Sequence, residues 1–236
     1  MSNKRKYYYP HVRRRRRRQR TKMSKTKRCV LIISAAALFI LLVCGVITLI
    51  SRNRASSVAD SDKILPKLTL KVQLIDINKY SRPGIALKKV NGIVVHYTAN
   101  PGTDAEDNRN YFNNLPRLNK EKKKPVYASS HFVIGLEGQI VQCIPTKEMA
   151  YASNDRNSDT IAIECCHPDD SGKFNSLTYE SLVELLAYLC VKFDLDEQDI
   201  IRHYDVTGKL CPKYYVKNEE KWEKLKQDVK MKLQNL

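Results

Sequence analysis

Acidic residues are absent from the first 28 positions of the chain, and residues 29–50 carry no charge of either sign. The first 28 residues hold fourteen of the 42 Lys and Arg, which leaves 28 basic and 25 acidic residues over residues 51–236. The net charge of +17 is therefore +14 on a tail and only +3 on the remainder. This distribution argues against a basic nucleic-acid-binding domain, in which the folded part would carry the charge.

Internal repeats are also missing, and the overall composition is that of a folded protein. Hydrophobic residues make up 42% of the chain and charged residues 28%, which is too apolar for a wholly disordered chain. The length of 236 residues suits one domain with additional segments, or two small domains at most.

The uncharged stretch, residues 29–50, is long and apolar enough to cross a membrane. Its 22 residues would form a helix of about 33 Å, against a hydrocarbon core of roughly 30 Å. The alternative, a cleaved signal peptide, usually has an apolar core of about 7–15 residues and a small-residue cleavage site, which does not follow here. We therefore expect an uncleaved signal anchor, with the N-terminus in the cytoplasm by the positive-inside rule.

The basic tail, residues 1–28, has two interpretations. Beside a membrane span, the run Arg13 to Arg18 favours a tail that sets orientation and lies against anionic lipid. The alternative is a nucleic-acid-binding arm, with stacking from Tyr7, Tyr8 and Tyr9, but the span argues against this partner. We expect no nucleic acid.

The rest of the chain predicts a polar linker at 51–75 and one domain at 76–236. Apolar and β-branched runs predict strands at 92–96, 160–165 and, as a hairpin turning at Gly138, 131–135 and 139–143. Helices are predicted at 105–115 with Asp104 as cap, after Thr178 as cap, and from Asn218 onwards. Strands alternating with helices indicate an α/β fold with a mixed β-sheet flanked by helices.

Cysteine is the residue whose chemistry is left most open. Seven are present, and the five beyond the span are Cys143, Cys165, Cys166, Cys190 and Cys211. An extracytoplasmic domain permits disulfides, but an odd number leaves at least one thiol with another fate. Cys190 lies on an apolar helical stripe, where packing is the default, and the adjacent Cys165 and Cys166 would face opposite sides of a strand.

The segment RHYDVTGKLCP, residues 202–212, is predicted to be a loop that brings His203 and Cys211 together. Gly208 permits a tight reversal and Pro212 stops its continuation. An imidazole and a thiolate at one point suit Zn²⁺, and a third ligand would complete a catalytic site. The spacing of these two residues matches no standard zinc-finger pattern.

Four segments together resemble the zinc-dependent N-acetylmuramoyl-L-alanine amidases, which share a fold with bacteriophage lysozyme-type amidases and peptidoglycan recognition proteins. The resemblance covers about residues 76–230, in the family's order and spacing. The segments are VNGIVVHYTAN (90–100), SSHFVIGLEGQIVQCIP (129–145), AYASNDRNSDTIAIECCHP (150–168) and RHYDVTGKLCPKYY (202–215).

The resemblance implies roles for particular residues. His96, His203 and Cys211 match the three zinc ligands of the family. Lys209 matches a lysine that stabilises the developing oxyanion, and Glu164 matches an acid that activates the water. Alternatively, His96 could bond to backbone, Glu164 could form a strand salt bridge, and Lys209 could be a solvated loop residue.

Ser130 departs from the family pattern, because several relatives have a catalytic tyrosine at that position. This departure gives more weight to Glu164, which should share a strand face with Ala162. His131 is expected beside the site, either packed or facing substrate, and Ser130 is a candidate substrate-binding residue. Tyr97 and Asn100 follow His96 and could line the groove or form a local turn.

His167 is expected to be a surface histidine in a loop, and His11 belongs to the tail.

The resemblance implies a hydrolase that cleaves the amide between N-acetylmuramic acid and L-alanine of the stem peptide. With the predicted span, it would be a single-pass protein of the cell membrane whose catalytic domain lies outside, with peptidoglycan or muropeptides as substrate. The alternative is a sensor on the same fold that binds muropeptides without cutting them. Non-hydrolysing relatives typically lack the cysteine ligand, which is present here as Cys211.

Overall fold

The fold is a single mixed sheet with helices on both faces, seen in a computed structural model that describes residues 67–236. The strands are β1 (Lys71–Val72), β2 (Ile93–Tyr97), β3 (Phe132–Ile134), β4 (Ile140–Gln142), β5 (Ile161–Cys165) and β6 (Ile200–Arg202). The helices are α1 (Ala105–Leu118), α2 (Ser176–Phe193), α3 (His203–Thr207), α4 (Lys213–Lys217) and α5 (Glu219–Gln234), with short 3-10 turns at Asn154–Arg156 and Glu197–Asp199.

The predicted tail (1–28), the predicted signal anchor (29–50) and residues 51–66 of the predicted linker lie outside the described residues. Among residues 67–236, none of the helices combines the length and the apolar character that a membrane crossing requires.

The sheet has the strand order β1-β4-β3-β5-β2-β6. β3 and β4 pair antiparallel, and the other neighbours pair parallel, so the expectation of a mixed α/β sheet is confirmed. One face packs against α2 and α5 through residues such as Ile163, Leu186 and Trp222. The other face packs against α1. A sheet buried on both sides needs the continuous apolar strands that the sequence contains.

The predicted boundary between linker and domain, after residue 75, lies too far towards the C-terminus. β1, at Lys71–Val72, pairs in parallel with β4, and the backbone N–H of Ile75 donates to the carbonyl of Cys143 at 2.9 Å. The side chain of Ile75 is fully buried against the α1 face of the sheet. Residues 71–75 therefore belong to the folded domain, although their polar neighbours made them look like linker.

The predicted helices and hairpin are present, with one correction. Gly138 turns the hairpin with a φ of +78°, a left-handed conformation that favours glycine. α2 begins one turn earlier than expected, because Asn175 and not Thr178 is its cap: the Asn175 side chain accepts from the Thr178 backbone N–H at 2.9 Å. The Thr178 hydroxyl instead donates to the carbonyl of Gly135 at 2.8 Å, which fixes the helix to the hairpin.

Ser130 and His131 lie inside the domain, so Ser130 does not line a substrate groove as expected and His131 takes the packed one of its two expected positions. The Ser130 hydroxyl bonds to the carbonyls of Phe132 and Ala162 at 2.9 and 2.8 Å. His131 is 1% exposed, accepts at Nδ1 from the Ala162 N–H and donates from Nε2 to the Glu148 carbonyl. Both side chains are fully used in joining β3 to its neighbours, so they have no free group to present to a ligand.

The expectation that His167 lies on the surface is also wrong. Its side chain is 1% exposed, its Nδ1 is 2.8 Å from the Asp169 carbonyl, and its ring lies 5.1 Å from that of Tyr97.

All five cysteines in the described part of the chain are buried and free of disulfides; they are Cys143, Cys165, Cys166, Cys190 and Cys211.

We predict that His131 makes the domain sensitive to acid. Burial lowers the pKa of this imidazole to about 4, from an ordinary value of 6.5. Between these values the unfolded chain binds a proton that the folded chain does not, so stability falls as the pH drops from 6.5 towards 4. The expected loss is on the order of 3 kcal/mol.

The measurement is chemical denaturation of the wild type and His131→Asn, followed by the fluorescence of Trp222, the single tryptophan of the chain. The variant should lose less stability than the wild type on acidification, because it has no imidazole to protonate. At about pH 7.5, where this site is neutral in both states, the difference between the proteins reports lost packing alone. The prediction would be contradicted if the free energy of unfolding fell equally with pH in the wild type and in His131→Asn.

Candidate active site

The candidate site lies at the edge of the sheet where the parallel strands β5, β2 and β6 end. In this register His96, near the end of β2, is opposite Glu164 on β5, and His203 directly follows β6. The loops beyond these strand ends enclose a cavity of about 280 Å³. Its lining residues are His96, Tyr97, Thr98, Ala99, Phe112, Tyr127, Ala128, Ser129, Tyr151, Ala152, Asn154, Glu164, His203, Lys209 and Cys211.

His96, His203 and Cys211 meet in this cavity, as expected. One donor atom from each residue lies within 4.8 Å of the other two, and the distance from Cys211 Sγ to His96 Nδ1 is 3.8 Å. The three side chains are 2%, 6% and 2% exposed. Two imidazoles and a thiol at this separation are the ligand types of zinc sites with three protein ligands.

Cys211 reaches the histidines through a segment that is more ordered than the predicted loop. Residues His203–Thr207 form the single-turn helix α3, and Gly208 ends it with a φ of +75°, which reverses the chain. The Tyr204 backbone N–H donates to the Cys211 carbonyl at 2.9 Å and closes the segment. The reversal at Gly208 was predicted; the helical turn before it was too short to give an amphipathic pattern.

The site favours the uncharged forms of its three candidate metal ligands. Burial lowers the pKa of His96, with the charges of His203 and Lys209 acting in the same direction. Burial likewise lowers the pKa of His203. Burial, and next to it the Glu164 carboxyl, raises the pKa of the Cys211 thiol to about 12. Neutral imidazoles offer lone pairs, and a thiol gives up its proton when a cation binds.

Three buried polar atoms of the cavity lining have no hydrogen-bond partner within residues 67–236: Thr98 Oγ1, Glu164 Oε2 and His203 Nδ1. Buried polar atoms in proteins are nearly always bonded, so such orphans call for a partner outside the chain. A cation held by His96, His203 and Cys211 would satisfy the orphaned imidazole nitrogen. The residues present therefore fit a zinc ion.

Glu164 lies beside the donors on the face of β5 that it shares with Ala162, as predicted. Its Oε1 is 4.0 Å from His96 Nδ1. Burial raises the pKa of Glu164 to about 8, an effect that the charge of Lys209 opposes. A carboxyl with its pKa near neutrality can both accept and return a proton at physiological pH.

Lys209 lines the same cavity from its solvent side and is exposed. Its positive charge lowers the pKa of His96, Glu164, His203 and Cys211, which places the ammonium group within electrostatic reach of all four. A cation in this position can stabilise negative charge that develops on a bound substrate.

The other predicted substrate residues divide into two groups. Tyr97 lines the cavity, whereas Ser130 and His131 are buried in the sheet. Asn100 is not part of the lining: its carbonyl accepts from the Thr103 hydroxyl at 2.7 Å, which closes a local turn. The turn interpretation of Asn100 is the one that the structure supports.

The sequence analysis missed two sets of residues at the site. Ser153 and Asn154 contact the imidazoles of His96 and His203 at 3.2 and 3.0 Å. Tyr127 and Tyr151 form an aromatic wall with ring centroids 5.7 Å apart. Both sets belong to segments whose sequence shows no strand or helix pattern. The one available signal was that Tyr151, Ser153 and Asn154 lie within residues 150–168, one of the four segments that carry the family resemblance.

Comparison with known proteins gives a consistent result. A family model described as N-acetylmuramoyl-L-alanine amidase matches residues 86–214. The chain is 37% identical over 180 residues to N-acetylmuramoyl-L-alanine amidase BlyA of Bacillus subtilis (strain 168), covering 67% of this chain and 46% of that protein. It is 38% identical over 154 residues to N-acetylmuramoyl-L-alanine amidase CwlL of Bacillus licheniformis, covering 60% and 41%. The chain thus spans less than half the length of these two relatives.

Solved structures share the fold. The structure of PlyL matches with a TM-score of 0.57 and 24% identity, covering 69% of this chain and 98% of that one. The catalytic domain of XlyA matches with a TM-score of 0.56 and 24% identity, covering 69% and 99%. The family match covers more than half of the chain and includes every residue of the His96–Glu164–His203–Cys211 group. The chain therefore belongs to the N-acetylmuramoyl-L-alanine amidase family, amidase type 2.

Proposed function

We propose that this chain is a zinc-dependent peptidoglycan hydrolase, which cleaves the amide between the lactyl group of N-acetylmuramic acid and L-alanine of the stem peptide. The observation that carries the proposal is the buried group of His96, His203 and Cys211 beside Glu164 in one cavity. Relatives named as N-acetylmuramoyl-L-alanine amidases support the choice of substrate.

His96, His203 and Cys211 would hold the zinc ion. Bound there, zinc supplies a Lewis acid for the amide carbonyl and makes a water molecule more acidic. The protein contributes two neutral imidazoles, one thiol that becomes a thiolate on binding, and a cavity that limits access of bulk solvent. With these ligands present, a sensor that binds muropeptides without cutting them is the weaker alternative.

Glu164 and Lys209 have complementary roles in the hydrolysis. Glu164 accepts a proton from the attacking water and delivers it to the amine of L-alanine as the carbon–nitrogen bond breaks. Its raised pKa suits both steps, because the carboxyl can hold the proton between them. Lys209 faces the carbonyl oxygen and stabilises the negative charge that develops there. The products are a muramic acid carboxylate and a free stem peptide.

The proposal includes a tether to the outer face of the cytoplasmic membrane. Residues 29–50 are uncharged and long enough to span a bilayer, and fourteen basic residues precede them. Peptidoglycan lies outside that membrane, so this orientation brings the cavity to its substrate. The basic tail, residues 1–28, would then lie against anionic lipid on the cytoplasmic side.

We predict that the purified full-length chain with zinc releases new L-alanine amino termini from purified cell wall. A chelator should stop the release and added zinc should restore it. Cys211→Ser should reduce the rate by at least about a hundredfold, because a hydroxyl is a much poorer zinc ligand than a thiolate. Binding to cell wall without any amine release, with equal behaviour of Cys211→Ser, would instead identify a sensor.

We predict that Glu164→Gln lowers kcat by about 10²- to 10⁴-fold, the usual contribution of a general acid–base group. Zinc content should stay near that of the wild type, because Glu164 is not among the proposed ligands. Glu223→Gln, an exposed residue of α5, is the matched control and should leave the rate unchanged. A Glu164→Gln enzyme with wild-type kcat would exclude Glu164 as the proton carrier.

We predict that the full-length chain stays with bacterial membranes after alkaline extraction and that protease added outside intact spheroplasts removes its C-terminal domain. Deletion of residues 29–50 should release the protein into the soluble fraction. Deletion of residues 2–20 keeps the span and four of the fourteen basic residues, so it should weaken the orientation without releasing the protein. Extraction of the full-length chain by alkali would contradict the tether.

A further inference from the structure

Two adjacent residues, Ser153 and Asn154, contact the two imidazoles of the candidate metal site. The Ser153 hydroxyl is 3.2 Å from His96 Nε2, and the Asn154 side-chain oxygen is 3.0 Å from His203 Nε2. The opposite nitrogen of His96, Nδ1, is 3.8 Å from the Cys211 sulfur. One short segment of chain thus reaches both histidines.

The contact with Asn154 fixes which ring nitrogen of His203 carries the proton. The side-chain oxygen of Asn154 can only accept, so His203 Nε2 must donate to it. The lone pair of His203 is then on Nδ1, the buried nitrogen that lacks a hydrogen-bond partner in the described part of the chain. The Ser153 hydroxyl can accept from His96 Nε2 or donate to it, so the Cys211 thiol, 3.8 Å from Nδ1, supplies the second constraint. When the thiol donates to Nδ1, the proton of the ring is on Nε2 and is donated to Ser153.

The segment that carries Ser153 and Asn154 is itself held in place. The Asn157 side-chain oxygen accepts from the backbone N–H groups of Ala152 and Ser153 at 2.9 and 2.6 Å. Ser153 is 1% exposed. Asn154 has a φ of +52°, in the left-handed region that asparagine tolerates better than most residues. The contacts on the two rings are therefore made from a rigid support.

We propose that Ser153 and Asn154 are positioning residues, which hold His96 and His203 in the tautomer with the proton on Nε2 and leave both Nδ1 lone pairs available to a cation. The inference rests on the proposed metal site and adds the two residues that orient its histidines in the absence of a cation. Hydrogen bonds to the outer nitrogen of a ligating histidine orient the ring, and their loss typically weakens metal binding about 10- to 100-fold.

The first test measures zinc affinity of the purified full-length chain by competition with a chromogenic chelator. Asn154→Gly removes the side-chain acceptor and keeps the left-handed backbone accessible, so affinity should fall about 10- to 100-fold. Asn154→Asp retains an acceptor oxygen and should bind within a few fold of the wild type. Wild-type affinity in Asn154→Gly would overturn the role of Asn154.

Ser153→Ala should weaken zinc binding in the same way through His96. Its matched control is Ser158→Ala in the same loop, an exposed serine with no bond to either ring among the described residues. The two serine variants should differ in affinity if the contact with His96 matters. Equal affinities in Ser153→Ala, Ser158→Ala and the wild type would overturn the role of Ser153.

The second test needs no metal. Long-range proton–nitrogen spectra of the metal-free, histidine-labelled full-length chain should show His96 and His203 with the proton on Nε2. In Asn154→Gly the His203 ring alone should gain the other tautomer, a change that a general loss of stability would not produce. A proton on Nδ1 in the wild type would overturn the proposal.

The two tests separate the positioning proposal from the proposed function. A wild type with both protons on Nε2 but no zinc binding would remove the zinc site and leave the positioning role. A wild type that binds zinc as tightly as Asn154→Gly, with identical tautomers, would remove the positioning role and leave the zinc site.

Discussion

The structure must accommodate four polar side chains at one sheet edge, of which His96, His203 and Cys211 are buried and Glu164 is 17% exposed. His96, Glu164, His203 and Cys211 lie where β5, β2 and β6 end, and parallel pairing of these strands brings them together. Burying such groups costs free energy unless they are bonded. Here His203 Nδ1 and Glu164 Oε2 remain without a partner among the described residues, so the domain carries that cost at its site and must offset it elsewhere.

Arg202, the residue before His203, makes several contacts that help to offset this cost. Its guanidinium bonds to Asp205 at 2.9 Å, to Glu219 at 2.6 Å and to the carbonyl of Tyr215 at 3.1 Å. It also lies 5.3 Å from the ring of Trp222. The planar guanidinium is suited to so many fixed partners, whereas a lysine would not be. Arg202 thus joins β6, α3 and α5 one residue before a proposed zinc ligand.

How much could be predicted from the sequence depended on how local each signal is. The strand ending at His96, the hairpin at Gly138 and the face shared by Ala162 and Glu164 follow from short-range periodicity, and all are present. The meeting of His96 with His203 and Cys211 came only from the family resemblance. Thr178 failed as a helix cap because Asn175, three residues earlier, supplies the same bond. Tertiary burial reversed the expectation of a surface position for His167, and for His131 it selected the packed alternative over the substrate-facing one.

Ser153 and Asn154 could not be found from local pattern, because their partners are 57 and 49 residues away. Their contacts with the two rings bear on the protonation state of the proposed metal ligands. Burial lowers the pKa of both imidazoles and raises the pKa of the Cys211 thiol, so near neutral pH the three side chains are uncharged. A divalent cation entering this site must displace the thiol proton. In the arrangement that we propose, Ser153 and Asn154 accept from Nε2 of each ring, so both Nδ1 lone pairs stay available and the thiol of Cys211 is the one proposed ligand that must lose a proton.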